Sequence, residues 1–383
     1  MNWKTYLQGR TRDPRFLWRT VLAILAVGGA ASVGVHFLLE PPGLHSPAVA
    51  ITELSDPDTP ESDKPGVWRL QTAIEEHDWS QVWWLIPVVS WVEVEAGPAV
   101  IAGLAGLFWF VFLLQAGQAL SLREVRFWLC AAAFVLGALS TWPTLFAVVW
   151  QEEVWAFDWD SQAGLGPGLK YFILGVGLRE ELIKLLFVLP LVPWLVARRD
   201  ELERLIVSAC VGLGFAAEEN INYLSSSFST VSVGRYLTAN AFHLTATGLA
   251  GLWLCRAIRW PKECGVQFLA YFGLIVVAHG AYDAFLAVPE LADYSMVGTI
   301  VFIVLVYVFF HELRELRPAR REAISLTANF VVGLSLLAAI TFVYVTAQVG
   351  LPDASRIFAQ PAIAISLMAY VFLREVPESL VRT

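Results

Sequence analysis

Residues 175–190, GVGLREELIKLLFVLP, combine the apolar character of a membrane helix with a compact group of charges. Glu180 and Lys184 are four residues apart and Glu181 and Lys184 are three apart, so one helical face can hold both carboxylates beside the ammonium group. A charged side chain inside a bilayer costs at least about 2.5–3.5 kcal/mol, and such residues face a bundle interior or a wet cavity. The stretch therefore predicts a polar centre inside a bundle of apolar helices.

The composition predicts that this bundle is a polytopic membrane protein. Of 383 residues, 57% are hydrophobic and only 16% are charged, whereas about a quarter of a soluble domain is charged. The predicted fold class is an all-α transmembrane bundle with about ten spans, each near the ~20 residues that cross a bilayer. These runs are 20–39, 98–120, 127–150, 169–196, 204–224, 237–257, 266–288, 295–313, 324–346 and 357–373.

The charge pattern and the cysteines exclude other classes. The net charge is −8 and the basic residues form no nucleic-acid-binding pattern, so no nucleic-acid partner is expected. The four cysteines are scattered without a CxxC pair, which argues against disulfides and against a thiolate metal site.

The distribution of the 26 Lys and Arg residues predicts the orientation. Most of them fall in segments that lie on one side of the membrane when the N-terminus is inside, as the positive-inside rule requires. We therefore expect an integral plasma (inner) membrane protein with both termini in the cytoplasm. The first apolar run could be a signal peptide, but no clean cleavage site follows it before Glu40, so a retained anchor is favoured.

The chain is predicted to divide into six segments. The long outer segment begins acidic and Pro-rich, which predicts a loose tether, and ends Trp-rich, which predicts a helix at the outer membrane interface rather than a separate substrate domain. The segments are a basic cytoplasmic N-terminus (1–19), an anchor (20–39), the extracytoplasmic segment (40–97), helices with a loop (98–168), a catalytic core (169–290) and C-terminal helices (291–383).

Ionisable residues inside the predicted spans concentrate in four consecutive ones. At about 1.5 Å per residue, most of them lie roughly 8 to 17 Å below the outer helix ends, so they can meet in one layer. They are Glu180, Glu181 and Lys184, then Glu218 and Glu219, then His243, then His279 and Asp283.

Three interpretations of this layer are open from the chemistry alone. Carboxylates and imidazoles could activate water for hydrolysis, and His243 and His279 with carboxylates could bind Zn²⁺. The same residues could form the path of an ion- or proton-coupled transporter, or they could be structural ion pairs. The apolar inner halves of the neighbouring spans favour a cavity that opens on one side over a continuous transport path.

Four motifs, in order on successive spans, carry a resemblance to a known family. The motifs are E-E-x-x-K (Glu180, Glu181, Lys184), F-x-x-x-E-N (Phe215, Glu219, Asn220), H-x-x-x-T-G (His243, Thr247, Gly248) and H-x-x-x-D (His279, Asp283). Over residues 170–290 the chain resembles the PrsW family of intramembrane proteases, which is related to the CAAX prenyl endopeptidases.

The depth of the ionisable layer predicts cleavage near the outer leaflet, and the resemblance implies an intramembrane endopeptidase that cleaves a membrane-anchored protein, such as an anti-sigma factor. It implies that Glu180 and Glu181 supply the carboxylate that activates water, with Lys184 and His243 completing the catalytic group. A divalent metal, for which Zn²⁺ is the candidate, is expected to assist. The expected metal ligands are Glu181, Glu219, His243, His279 and Asp283.

Overall fold

The computed structural model describes residues 3–39, 65–92, 94–162, 164–226, 230–318 and 323–376, and these ranges form helices and no strands. The predicted all-α class is confirmed. The helices are α1 (Trp3–Arg10), α2 (Pro14–Leu38), α3 (Pro65–Glu75), α4 (Trp79–Val92), α5 (Ala96–Ala116), α6 (Val125–Trp155), α7 (Leu165–Lys170), α8 (Arg179–Val188), α9 (Val192–Ala197), α10 (Glu201–Ser226), α11 (Thr230–Arg259), α12 (Pro261–Ala287), α13 (Ser295–Leu316), α14 (Leu326–Val349) and α15 (Leu351–Glu375).

Seven helical segments in the described part of the chain are long and apolar enough to cross a membrane, so the predicted count of ten spans is not confirmed. The seven are α2, α5, α6, α12, α13 with the preceding turn, α14 and α15. The predicted spans that do not qualify correspond to α7–α9, α10 and α11. Helices α10 and α11 are almost wholly buried along their central turns. Since neighbouring helices rather than lipid cover them, they can carry polar residues that lower their hydropathy.

The predicted span 169–196 is not one continuous helix. Residues Tyr171–Leu178 form a π-helix, α8 follows, and a 3₁₀ turn over Leu189–Leu191 separates α8 from α9. Pro190 and Pro193 explain the second break, because proline lacks the backbone N–H that a continuous α-helix needs. The π-helix lies immediately before Glu180 and Glu181, and such segments frequently occur at functional sites.

The helix ends form two opposite faces of the bundle. One face is rich in arginine: Arg126 binds Asp200 and Glu203, Arg256 binds Glu201, and Arg317 donates to the carbonyl oxygen of Ala116. At the opposite face, the backbone N–H of Glu95 donates to Ser225 and that of Leu351 donates to His36. The site described below is reached from this second face.

The Trp-rich part of the segment 40–97 forms α3 and α4, while residues 40–64, which hold most of the predicted loose tether, lie outside the described residues. Ala73 of α3 and Val82 and Ile86 of α4 are buried against Trp142, Phe146 and Val149 of α6. The indole nitrogen of Trp142 donates a hydrogen bond of 2.7 Å to the carbonyl oxygen of Trp83. The hairpin is therefore fixed to α6 at the second face.

Candidate active site

Helix α8 supplies a buried lysine between two carboxylates. The Lys184 ammonium nitrogen lies 2.9 Å from Oε1 of Glu181 and 3.3 Å from Oε2 of Glu180. The same ammonium group also lies over the ring of Phe215 on α10, with 4.0 Å between the nitrogen and the ring centroid. Lys184 and Glu181 are completely buried, so the ammonium and carboxylate groups compensate each other where water does not reach.

His243 on α11 contacts both Lys184 and a third carboxylate. Its Nδ1 lies 2.7 Å from the Lys184 ammonium nitrogen, and its Nε2 lies 3.0 Å from Oε2 of Glu219 on α10. An ammonium group can only donate, so Nδ1 accepts from it and Nε2 carries the proton that is donated to Glu219. The two contacts therefore orient this imidazole.

His279 on α12 contacts three carboxylates. Its Nδ1 lies 2.8 Å from Oε1 of Glu181, and its Nε2 lies 3.3 Å from Oδ2 of Asp283 and 3.6 Å from Oε2 of Glu180. The ring centroids of His243 and His279 are 5.1 Å apart. The structure thus brings every predicted site residue into one cluster, which we call the polar cluster: Glu180, Glu181, Lys184, Glu219, His243, His279 and Asp283.

Two glycines permit the close helix approach that the cluster requires. A Cβ atom at Gly212 of α10 would overlap the backbone of His243 on α11. A Cβ atom at Gly280 of α12 would overlap the backbone of Phe172 and Ile173 in the π-helix. Because these contacts are backbone to backbone, larger residues would push α11 or the π-helix away and separate the imidazoles from Glu180 and Glu181.

A cavity of about 620 Å³ connects the cluster to the second face. Glu180, Glu219 and Asp283 line it, whereas Glu181 and Lys184 lie behind the wall. Trp159, Ser90 and Ala287 line the same cavity, and they come from a loop and from the ends of α4 and α12. Of the two adjacent glutamates, Glu180 is therefore the one that can meet a molecule in the cavity.

Residues 125–310 match the family model described as "PrsW family intramembrane metalloprotease". This match confirms the predicted resemblance to the PrsW family. The match extends beyond the predicted 170–290 and takes in α6 and most of α13, which pack around the polar cluster. Comparisons with curated proteins and with solved structures gave no significant match.

The PrsW family description implies a metal, and the donor atoms of the cluster fit one. Glu180, His243 and His279 each offer a ligand atom, and these atoms lie within 4.8 Å of one another. Two imidazoles and one carboxylate are a donor set that catalytic Zn²⁺ uses. The carboxylate in this trio is Glu180, for which the sequence predicted a catalytic role, whereas the carboxylates predicted to bind the metal are Glu181, Glu219 and Asp283. Glu181 instead binds Lys184 and His279 behind the cavity wall, and among the described residues nothing hydrogen-bonds its buried Oε2.

Sequence reasoning gave no site role to two charged residues that line the cavity of the PrsW domain. Arg179 lies next to Glu180 and donates a 3.1 Å hydrogen bond to Gln151 of α6. Glu218 lies next to Glu219 and accepts a 2.8 Å hydrogen bond from Asn222. The sequence feature that could have indicated a site role is position: each residue lies inside an apolar run and next to a candidate site residue.

Proposed function

We propose that this protein is an intramembrane endopeptidase that hydrolyses a peptide bond of a membrane-anchored protein near the outer leaflet. The observation that carries the proposal is the position of Glu180, which lines the cavity and lies 3.6 Å from Nε2 of His279. A carboxylate at a cavity wall, held beside two imidazoles, is suited to activate water. The match of residues 125–310 to the PrsW family model supports the same reaction class.

In the proposed reaction, Glu180 acts as the general base. It takes a proton from a water molecule in the cavity, and the resulting hydroxide attacks the carbonyl carbon of the peptide bond. Glu180 then returns the proton to the leaving nitrogen as the C–N bond breaks.

Glu181 and Lys184 act in this scheme as positioning residues. Glu181 holds His279 through Nδ1, and Lys184 holds Glu180 and His243. If a divalent ion such as Zn²⁺ is bound, Glu180, His243 and His279 would each hold it through one ligand atom, so the second carboxylate oxygen of Glu180 stays available as the base, with Glu219 and Asp283 beside the imidazoles. Such an ion would polarise the substrate carbonyl group and lower the pKa of bound water.

The proposal includes an orientation and a class of substrate. The arginine-rich face is assigned to the cytoplasm because positive residues are retained there. The cavity then opens toward the outer leaflet of the plasma membrane, and both termini are cytoplasmic. The proposed substrate is a membrane-anchored protein such as an anti-sigma factor, as the family resemblance implies.

Proteoliposomes that contain the purified protein and a single-span test substrate provide the decisive experiment. Mass spectrometry of the products should locate cleavage near the outer end of the substrate span. Glu180→Gln should lower the cleavage rate about 10²–10⁴-fold, the usual contribution of a general base. Glu312→Gln is the matched control, because Glu312 lies at the arginine-rich face and contacts Arg256 at 3.4 Å.

Two results would contradict the proposal. Full cleavage by Glu180→Gln and by Glu181→Gln would make the carboxylates structural. A pH-dependent ion flux across the same vesicles, lost in these variants while no substrate is cleaved, would identify a transporter instead.

A further inference from the structure

A second carboxylate, Glu218, lies in the wall of the cavity and has no part in the polar cluster. Its side chain accepts a 2.8 Å hydrogen bond from Nδ2 of Asn222, and the residue is only 9% exposed. Among the described residues, no lysine, arginine or histidine lies within ion-pair distance of it. An ionised carboxylate with little access to water and no cation partner is costly, and an ionisable residue retained inside a membrane bundle marks a functional site.

The cavity around Glu218 has the shape and polarity to receive a long cationic side chain. Leu145, Val148 and Phe215 provide an apolar wall, while Glu218 is accompanied by Thr144 and Asn222. Lysine and arginine bury their aliphatic stems along apolar surfaces and keep their charged heads at a polar group. The apolar wall beside Glu218 would contact the aliphatic stem of such a side chain, and the carboxylate would bind its charged head.

The other charged residues that line the cavity already have partners within the protein. Glu180, Glu219 and Asp283 belong to the polar cluster, where Lys184, His243 and His279 contact them. Arg179 is the cation among the described residues that line the cavity, and its guanidinium group is bound to Gln151. Glu218 is thus the lining carboxylate that is available to a charged group from outside.

We propose that Glu218 determines substrate specificity by binding a lysine or arginine side chain of the substrate close to the cleaved bond. This inference rests on the proposed protease function, and it names a substrate class: membrane-anchored proteins with a basic residue at a fixed distance from the cleavage site. Loss of a buried, hydrogen-bonded partner of a charge costs at least about 2 kcal/mol, or more than tenfold in affinity.

The test uses a series of single-span substrates in proteoliposomes. One residue, either lysine, glutamate or alanine, is moved step by step along the outer juxtamembrane segment, and kcat/KM is measured for each substrate. The wild-type protein should cleave the lysine series at least about tenfold faster than the glutamate series at one position. Glu218→Gln should remove this preference while cleavage of the alanine substrates persists, and Glu218→Lys should reverse it.

The control variant is Glu153→Gln, because Glu153 lies on α6 near the same face but is exposed and does not line the cavity. It should keep the lysine preference. Equal cleavage of the three series by the wild-type protein would overturn this inference and leave the protease function intact. A preference for glutamate, lost in Arg179→Gln, would overturn it in favour of an acidic substrate. No cleavage of any series would contradict the protease function itself and this inference with it.

Discussion

The two ends of α10 carry ionic groups of opposite design. Near its first residues, at the arginine-rich face, four arginines form ion pairs with four carboxylates. We call this group the arginine network. Its members are Arg126, Arg198, Arg204 and Arg256 with Asp200, Glu201, Glu203 and Glu312. Near its last turns, the polar cluster holds four carboxylates with one lysine and two histidines. The network balances its charges with permanent cations, whereas the cluster depends on the protonation of imidazoles or on a bound ion.

This difference separates a structural role from a chemical one. Arginine remains charged at every physiological pH, and its planar guanidinium group forms hydrogen-bonded ion pairs with carboxylates. The arginine network is therefore suited to join helix ends. Histidine and glutamate exchange protons and bind metal ions, and the cluster has access to a cavity through Glu180. The predictions below test whether the two groups differ in this way.

The largest effect is expected from removing the cation of the polar cluster. Lys184→Met should destabilise the protein by about 3–5 kcal/mol, the cost of breaking a buried ion pair by removing one partner. Arg256→Met in the arginine network should cost less, because Arg256 keeps access to water. Denaturant unfolding of both variants in detergent would measure the two free energies of unfolding. Equal stability of Lys184→Met and wild type would show that Lys184 does not hold the cluster together.

A smaller effect is expected from the backbone contact between α12 and the π-helix. Gly280→Ala should cost about 1–3 kcal/mol, because its Cβ atom would overlap the backbone of Ile173 and force the helices apart. It should also reduce cleavage, since the same shift moves His279 away from Glu181. Gly273→Ala is the matched control on α12: nothing lies within 4 Å of its Cβ position, and alanine is the better helix former. Similar melting temperatures for the two variants would contradict the proposed role of the close contact.

The sequence predicted much of this arrangement because its strongest signals are local. Apolar runs near twenty residues mark α2, α5, α6 and α12–α15, and the i, i+3 and i, i+4 spacings within α8 and α12 place Glu181 beside Lys184 and His279 beside Asp283. The shared depth of the ionisable residues predicted that α8, α10, α11 and α12 meet in one layer. These inferences need only helix geometry and the cost of charge in lipid.

Other features depend on tertiary contacts that spacing does not encode. The π-helix within 169–196 is such a feature, because its backbone at Phe172 and Ile173 packs against Gly280 of α12. The choice between Glu180 and Glu181 also depends on tertiary contacts, because adjacent residues point about 100° apart on a helix and the sequence does not say which direction faces a cavity. Glu180 lines the cavity and Glu181 is turned inward.

Metal binding tests that distinction between the two glutamates. Glu181 contacts Nδ1 of His279 from behind the wall, and loss of such a supporting partner lowers metal affinity about 10–100-fold. Glu181→Gln should therefore weaken Zn²⁺ binding by about that factor, and Glu180→Gln should weaken it more. Equilibrium dialysis of the purified variants with elemental analysis would give both affinities, with Glu312→Gln as the control. A greater loss in Glu181→Gln than in Glu180→Gln would restore Glu181 as the ligand.

The smallest effect concerns the arginine network itself. A double-mutant cycle for Arg256 and Glu201, whose nitrogen and oxygen atoms lie 2.7 Å apart, should give a coupling energy of at most about 1 kcal/mol. Because both side chains are partly exposed, this coupling should fall as the salt concentration rises. The corresponding cycle for Lys184 and Glu181, which are fully buried, should give a larger coupling that salt does not change. If the two couplings respond equally to salt, the polar cluster is open to solvent ions and is a solvated ionic group like the arginine network.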